Sequence, residues 1–215
     1  MIPTDNDTTK GLLIRAASRL FAQKGLDGTT IKDIVDEAGV NVSLVSYHFN
    51  GKDGLFQACV RSMGQQNLEM AKRLLEPADS IAEFKLKLEI FISELLTVHA
   101  ENPDVTRIIH REIENGSPFM DEVFQATFAE IFQTVIQFFI DAQHKRLIRS
   151  DLDCFILSSI ITGSIVQFGR MDNVGKRHFN RSIQDPTYRK AISSHLIESF
   201  INGAIAPRKD SHETD

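Results

Sequence analysis

The sequence has little of several features that define common protein classes. Its 215 residues include no tryptophan, two cysteines, six prolines and 12 glycines. So little glycine and proline excludes collagen-like and low-complexity chains. The two distant thiols, Cys59 and Cys154, match neither a disulfide framework nor a CxxC metal motif, and such usage is typical of a reducing cytoplasm.

An excess of positive charge is also missing. The chain has 24 basic and 29 acidic side chains, which gives a net charge of −5. This balance excludes a generally basic, histone-like nucleic-acid binder, because such proteins neutralise phosphates over much of their surface. Any contact with nucleic acid must therefore come from a local patch.

Long apolar runs are absent as well. A membrane-spanning helix needs roughly 18 consecutive apolar residues, and polar side chains interrupt the most apolar stretch, from Phe128 to Ile140. The first residues, Met1 to Asp7, are acidic and polar, unlike the basic and then apolar start of a secretory signal. We therefore expect a soluble protein of the cytoplasm with no membrane partner.

Helical periodicity dominates the chain, and strand-like alternation is nearly absent. The pattern predicts an all-α fold of three short helices followed by about six longer ones. Residues 170–185 are polar and weakly periodic, so a long loop is expected there. The predicted helices are 9–24, 31–38, 42–49, 52–76, 79–101, 104–115, 118–147, 151–169 and 187–205.

The segment 29–56 is the most informative. Two short helices meet at Gly39, and Thr30 with Asp33 forms a variant of the capping box at the start of the first of them. Asn41 can cap the second helix. Apolar residues on both helices are spaced to pack together, which is the layout of a helix-turn-helix whose second helix enters the major groove of DNA. A helical hairpin used only for packing is the alternative on the pattern alone.

The same region resembles a known family. It is similar to the N-terminal DNA-binding domain of TetR-type transcriptional regulators, over about residues 9–60. The resemblance implies a helix-turn-helix domain at 1–53, a helical effector-binding and dimerisation domain at 54–206 and a polar tail at 207–215. The matching residues are Ala16, Ala17, Leu20, Phe21, Gly25, Thr29, Thr30, Ile31, Ile34, Ala38, Gly39, Val40, Tyr47, His48, Phe49, Lys52, Leu55 and Phe56.

Nine residues are candidates for DNA contact. The exposed face of the second helix would bring small or uncharged groups to base edges and phosphates. Thr30 lies where a helix N-terminus favours a phosphate, and Lys52 corresponds to a phosphate-contacting lysine of the family. The full set is Thr30, Lys32, Val42, Ser43, Leu44, Ser46, Tyr47, His48 and Lys52.

The resemblance also implies a dimer and an effector cavity. The last two long helices of each subunit form the interface in the family, and the predicted interface residues are Phe155, Ile161, Ile165, Ile192, Leu196 and Phe200. Large apolar side chains between them and the DNA-binding domain suit a cavity, although any one of them can instead be plain core. The predicted effector-binding residues are Phe91, Leu95, His99, Ile109, Phe128 and Phe132.

No catalytic, metal or cofactor site is predicted. His99, His110, Glu112 and Glu114 match no known metal-binding spacing, and the motifs of nucleophilic and nucleotide-binding enzymes are missing. The leading hypothesis is a dimeric, ligand-responsive repressor that a small apolar or amphipathic effector releases from a pseudo-palindromic operator in double-stranded DNA. The alternatives are a helical small-molecule binding protein without DNA readout and an all-α enzyme.

Overall fold

The computed structural model describes residues 8–116 and 118–202, with the side chains of 118–120 left out. Within these residues the fold is all-α and has no β-strand, as predicted. The helices are α1 (Thr9–Lys24), α2 (Ile31–Ala38), α3 (Ser43–Phe49), α4 (Lys52–Leu74), α5 (Ile81–Glu101), α6 (Pro103–Glu114), α7 (Pro118–Val123), α8 (Ala129–His144), α9 (Cys154–Arg170), α10 (Asp172–Phe179) and α11 (Pro186–Leu196).

The chain divides into two compact units. The first contains residues 1–68 and 101–130, and the second contains residues 69–100 and 131–215. This division differs from the predicted boundary between residues 53 and 54, because α4 continues unbroken past that point and α6 packs against α1.

The first unit is built around the apolar faces of α1 and α4. Leu13, Ala17 and Phe21 lie on one side of α1 at helical spacing, and all three are buried. The ring of Phe21 meets the edge of Phe56 with the ring centroids 5.1 Å apart. Such an edge-to-face pair fixes the crossing of the two helices beyond the burial of apolar area alone.

The second unit has a phenylalanine core. Phe84 on α5 stacks on Phe138 at 5.0 Å and meets the edge of Phe139 at 5.9 Å. All three side chains are buried. Large apolar side chains in this unit therefore form packed core at several positions, which is the alternative that the sequence left open.

The structure corrects the predicted loop at 170–185, because part of it is the helix α10. The carboxylate of Asp172, in the first turn of α10, accepts a hydrogen bond from the amide of Ile183 at 2.6 Å. Asn180 ends α10 in the left-handed conformation. No residue of α10 is buried, so it lacks the apolar periodicity by which the other helices were predicted.

The predicted helix 118–147 is also interrupted. A π-helical turn, Phe124–Phe128, separates α7 from α8. Beside it, a Cβ atom on Gly64 of α4 would lie only 2.6 Å from the hydroxyl of Thr127. The backbone of α4 therefore approaches the π-turn at a distance that only glycine allows. A second π-turn, Ile197–Ile201, follows α11.

Residues 121–144 are long and apolar enough to cross a membrane by length and composition alone. In the structure they bury one face inside the protein. The buried residues recur at the spacing of a core helix and are Val123, Thr127, Ile131, Val135, Phe138, Phe139 and Ala142.

Candidate nucleic-acid interface

The N-terminus of α2 is closed by a complete capping box. The Thr30 hydroxyl accepts the amide of Asp33 at 3.0 Å, and the Asp33 carboxylate accepts the amide of Thr30 at 3.0 Å. The hydrogen bond from the Thr30 backbone is the main cause of a lowered pKa of Asp33. The Thr30 hydroxyl still has its own proton, which it can donate to a phosphate at this exposed helix start.

The turn between α2 and α3 has the geometry that the sequence predicted. Gly39 has φ +68°, in the left-handed region, and its amide donates to the Val35 carbonyl. The side-chain oxygen of Asn41 then accepts both the amide and the hydroxyl of Ser43, at 2.9 and 2.8 Å. These contacts fix where α3 begins and orient the Ser43 side chain.

The helix α3 has one buried face and one exposed face. Val45 and Phe49 are buried and anchor the helix, whereas Tyr47 is 81% exposed and its ring lies 4.9 Å from that of His48. Leu44 is half-buried. The other predicted DNA-contacting residues of this region are exposed, namely Val42, Ser43 and Ser46. The structure therefore presents a compact and largely uncharged surface with one large aromatic side chain.

Lys52 has a structural role that the sequence prediction did not include. Its ammonium donates to the carbonyl of Leu26 at 2.8 Å and to that of Thr29 at 3.0 Å. The Thr29 hydroxyl also donates to the Gly25 carbonyl at 2.7 Å. Lys52 thus holds the α1–α2 loop and has one N–H left for a phosphate. The phosphate contact stays a prediction.

The other two lysines near this surface differ in their partners. Lys24 lies 3.7 Å from the carboxylate of Asp33. Lys32 is exposed and has no carboxylate partner within the described ranges. Since an unpaired ammonium loses no ion pair when it meets a phosphate, Lys32 is the stronger candidate for a purely electrostatic contact.

Arg111 is a residue of this region that sequence reasoning missed. Its guanidinium, on α6, donates to the carbonyl of Phe21 near the end of α1 at 2.9 Å. Its Nε lies 3.1 Å from the buried carboxylate of Glu112. Arg111 thus holds the end of α1, and Lys52 holds the loop that follows it. Arg111 and Phe21 are 90 positions apart in the sequence, so no local pattern predicts this contact.

The predicted effector residues are divided between the two units. Phe91, Leu95 and His99 are buried in the second unit, where Phe132 is half-buried. The remaining two, Ile109 and Phe128, belong to the first unit. Their role as cavity lining stays a prediction.

The six predicted interface residues differ in their exposure. Ile161, Ile165, Ile192 and Leu196 are buried within a single chain. Two of them, Ile192 and Leu196, also line an open groove beside Phe168 and Tyr188. The role of these four residues in a dimer interface stays a prediction. Phe155, by contrast, is 59% exposed. Three further apolar residues of α9 and of the π-turn after α11 are exposed with it, namely Ile156, Val166 and Phe200.

Two short helices around a glycine turn, with the second helix exposed on one face, have the layout of a helix-turn-helix. Residues 13–59 match the family model described as "Bacterial regulatory proteins, tetR family". This match falls within the region, about residues 9–60, where the sequence resembles that family.

The similarity extends beyond this domain. The chain is 31% identical to the "Probable HTH-type transcriptional regulator YttP" of Bacillus subtilis over 136 residues, which are 60% of this chain and 64% of that protein. It thus spans less than two thirds of the length of this curated relative.

Two solved structures share the fold over most of the chain. The ketosteroid transcriptional regulator KstR2 of Mycobacterium tuberculosis has a TM-score of 0.72 and 15% identity, and covers 94% of this chain and 97% of its own. FadR of Bacillus subtilis in complex with stearoyl-CoA has a TM-score of 0.70 and 18% identity, and covers 89% and 97%. The relatives named here are regulators rather than enzymes.

Lys52 and Lys32 form a matched pair that separates a structural from an electrostatic role. We expect Lys52→Met to lower the free energy of unfolding by about 1–2 kcal/mol, because two loop carbonyls lose a charged donor. It should also weaken DNA binding and flatten the salt dependence of the binding constant by about one unit. Lys32→Met should change the salt dependence with an effect on stability of less than about 0.5 kcal/mol.

Urea unfolding and DNA binding at several salt concentrations check both variants. An unchanged salt dependence in Lys52→Met would show that this lysine only holds the loop.

Proposed function

We propose that this chain is a ligand-responsive DNA-binding transcriptional regulator of the cytoplasm. It acts as a dimeric repressor that leaves a pseudo-palindromic operator when a small apolar or amphipathic effector binds. The observation that supports the proposal is the exposed face of α3. This face carries Tyr47, 81% exposed, on a helix anchored by the buried Val45 and Phe49.

The interface favours a reader of base edges over a general phosphate binder. Ser43, Ser46 and His48 offer short hydrogen-bonding groups, and the Tyr47 ring can contact a thymine methyl group. The N-terminus of α2, with Thr30 and Lys32, would position the domain on the phosphate backbone. So few cations give weak binding for a single domain, and a dimer doubles the number of contacts.

Selection of binding sites from random DNA tests the proposed function. The purified protein should enrich an inverted repeat, because a two-fold dimer places two recognition helices in successive major grooves. Tyr47→Ala should change the preference at particular base pairs, at about 1–3 kcal/mol for a lost specific contact. Enrichment of no sequence would favour a helical binding protein without DNA readout.

The exposed apolar surface of α9 supports the dimer. Phe155, Ile156 and Val166 lie on one side of the helix and are all exposed. A groove of about 440 Å³ between α9 and α11 has an apolar lining that includes Phe168 and Tyr188. Exposed apolar surface of this kind marks sites of protein association. We therefore centre the proposed interface on the outer face of α9 and on the groove beside it, which Ile192, Leu196 and Phe200 also line.

Substitution on this outer face should separate association from folding. We expect Ile156→Arg to make the protein monomeric and to weaken operator binding, with little change in the stability of the monomer, because this side chain is 56% exposed. The control, Ile165→Ala, lies in the core of the same helix. It should lower the free energy of unfolding by about 2–5 kcal/mol through its cavity. Light scattering and urea unfolding distinguish the two effects, and a parent protein that is monomeric at micromolar concentration would contradict the dimer.

The proposed effector is apolar or amphipathic. FadR was solved with stearoyl-CoA, and KstR2 is named a ketosteroid regulator; both share this fold. In this chain the helices α5 and α8 supply large rings with few polar partners, as apolar ligand sites require. Release of DNA requires the effector to prefer a state in which the recognition helices are wrongly spaced, since equal affinity for both states shifts nothing.

Two elements can transmit such a preference to the DNA-binding helices. The helix α4 starts at Lys52, which holds the α1–α2 loop, and ends at Leu74 in the second unit. The helix α6 holds the end of α1 through Arg111. A shift of either helix would move the loop that orients α2. The usual coupling between two such sites is about 1–3 kcal/mol.

A tryptophan reporter tests the effector switch without background, because the chain has no tryptophan. Phe132→Trp should respond to fatty acids or steroids that bind the effector domain, and the same compounds should lower the operator affinity. Ile81→Trp, at the exposed start of α5, is the control that should not respond. Tight binding that leaves operator affinity unchanged would contradict the switch and leave DNA binding intact.

A further inference from the structure

The helix α10 and the turn after it form an exposed surface, which we call the α10 surface (residues 171–181). No side chain within α10 is buried. Phe179 is 71% exposed, and Met171 and Val174 are exposed with it. Three exposed apolar residues within one short helix and its cap favour a binding site, and the most exposed of them, Phe179, lies one turn beyond the exposed Lys176.

The α10 surface is held firmly in place. Asp172 accepts the amide of Ile183 at 2.6 Å, and Arg189 donates to the carbonyl of Ile183 at 2.5 Å. The side chain of Gln184 donates to the carbonyl of Ala100 on α5 at 2.6 Å. Three contacts thus fix the return from α10 to α11, so that α10 is presented in a defined orientation.

The segment is strongly basic in an acidic protein. Residues 170–190 contain six basic and two acidic side chains, a net charge of +4, whereas the whole chain carries −5. The carboxylates of Asp172 and Asp185 accept hydrogen bonds from backbone amides. Lys176 and Arg177 have no carboxylate partner among the residues that the structure describes. The occupant of the α10 surface should therefore be apolar and negatively charged.

A surface with these properties lies on α5 of the same chain. Leu86, Ile90 and Glu94 follow one another at a spacing of four residues, which places them on one side of the helix. All three are exposed, Leu86 by 56%. Glu94 has no ion pair among the described residues. We call these three residues the α5 stripe. Both surfaces are exposed within one chain, so neither covers the other there.

We propose that α10 of one copy docks on the α5 stripe of a second copy in the dimer. Phe179 would pack against Leu86 and Ile90, with Lys176, on the same side of α10, close to Glu94 and Arg177 adding to the positive charge around it. The exposed side of α9 leads directly into α10, which continues from it at a 60° bend. Pairing of the α9 faces therefore carries α10 to the surface of the partner. Two-fold symmetry makes the contact twice, once in each direction. The inference rests on the dimer of the proposed function.

Charge reversal tests the contact. Lys176→Glu combined with Arg177→Glu should weaken the dimer about fivefold, and Glu94→Lys should weaken it about threefold, as expected for exposed ion pairs. The protein with all three changes should return to within about twofold of the parent, because the opposite charges again face each other. Lys190→Glu, in the same basic segment, is the control and should have a smaller effect than the double variant. Dimer dissociation constants come from analytical ultracentrifugation at two salt concentrations.

If the α10 and α5 substitutions weaken the dimer additively in the triple variant, the proposal is wrong. A double variant that keeps its dimer affinity and instead loses binding to vesicles containing phosphatidylglycerol would also overturn it, because the α10 surface would then serve a membrane.

Cross-linking provides a readout that does not depend on charge. In a Cys154→Ser background, one copy carries Phe179→Cys and the other Leu86→Cys, and the two are co-expressed with different tags and purified through both. Burial raises the pKa of Cys59 to about 12, so this thiol stays unreactive. A short bis-maleimide should join the mixed dimer and leave both homodimers unlinked.

A mixed dimer that is not cross-linked would overturn this inference alone. A chain that is monomeric by light scattering would overturn both this inference and the proposed dimer, so the two failures can be told apart.

Discussion

The orientation of α2 and α3, the proposed DNA-binding helices, depends on the short loop between α1 and α2. Lys52 binds two of its carbonyls, Arg111 binds the last turn of α1 before it, and the Thr29 hydroxyl closes it internally. Because the loop leads directly into the capping box at Thr30, these contacts set where α2 begins and therefore where α3 lies. Cations are suited to this task, since an ammonium or guanidinium can satisfy several carbonyls at once.

The same arrangement links two parts of the chain that are distant in sequence. Lys52 is the first residue of α4, and Arg111 lies on α6. A loop held only by its own residues would isolate the DNA-binding helices from the rest of the chain. Here the loop is held by Lys52 on α4 and the end of α1 by Arg111 on α6. A shift of α4 or α6 would therefore move the start of α2.

Local chemistry explains what the sequence could predict. The capping box of Thr30 and Asp33 and the left-handed Gly39 involve residues three or four positions apart, so composition and spacing are sufficient. The helix α10 was not predicted from the sequence because it has no buried face to create a periodic apolar pattern. The structural role of Arg111 was not predicted because the residue it contacts lies 90 positions away in the sequence. The exposed side of α9 could not be predicted for another reason. A helix that is apolar on several sides does not reveal which side faces its own core, and Ile161 and Ile165 turned inward while Phe155 turned outward.

On α3 the residues that anchor the helix differ from those that would contact DNA, and this has an evolutionary consequence. Val45 and Phe49 hold the helix from its buried side, and the exposed residues between them contribute little to folding. After gene duplication, substitutions at Ser43, Ser46 or Tyr47 can accumulate with little cost in stability. A duplicated copy can then acquire a new set of target promoters while its scaffold remains intact. In the laboratory, exchange of a few exposed side chains on α3 should change the preferred DNA sequence in the same way.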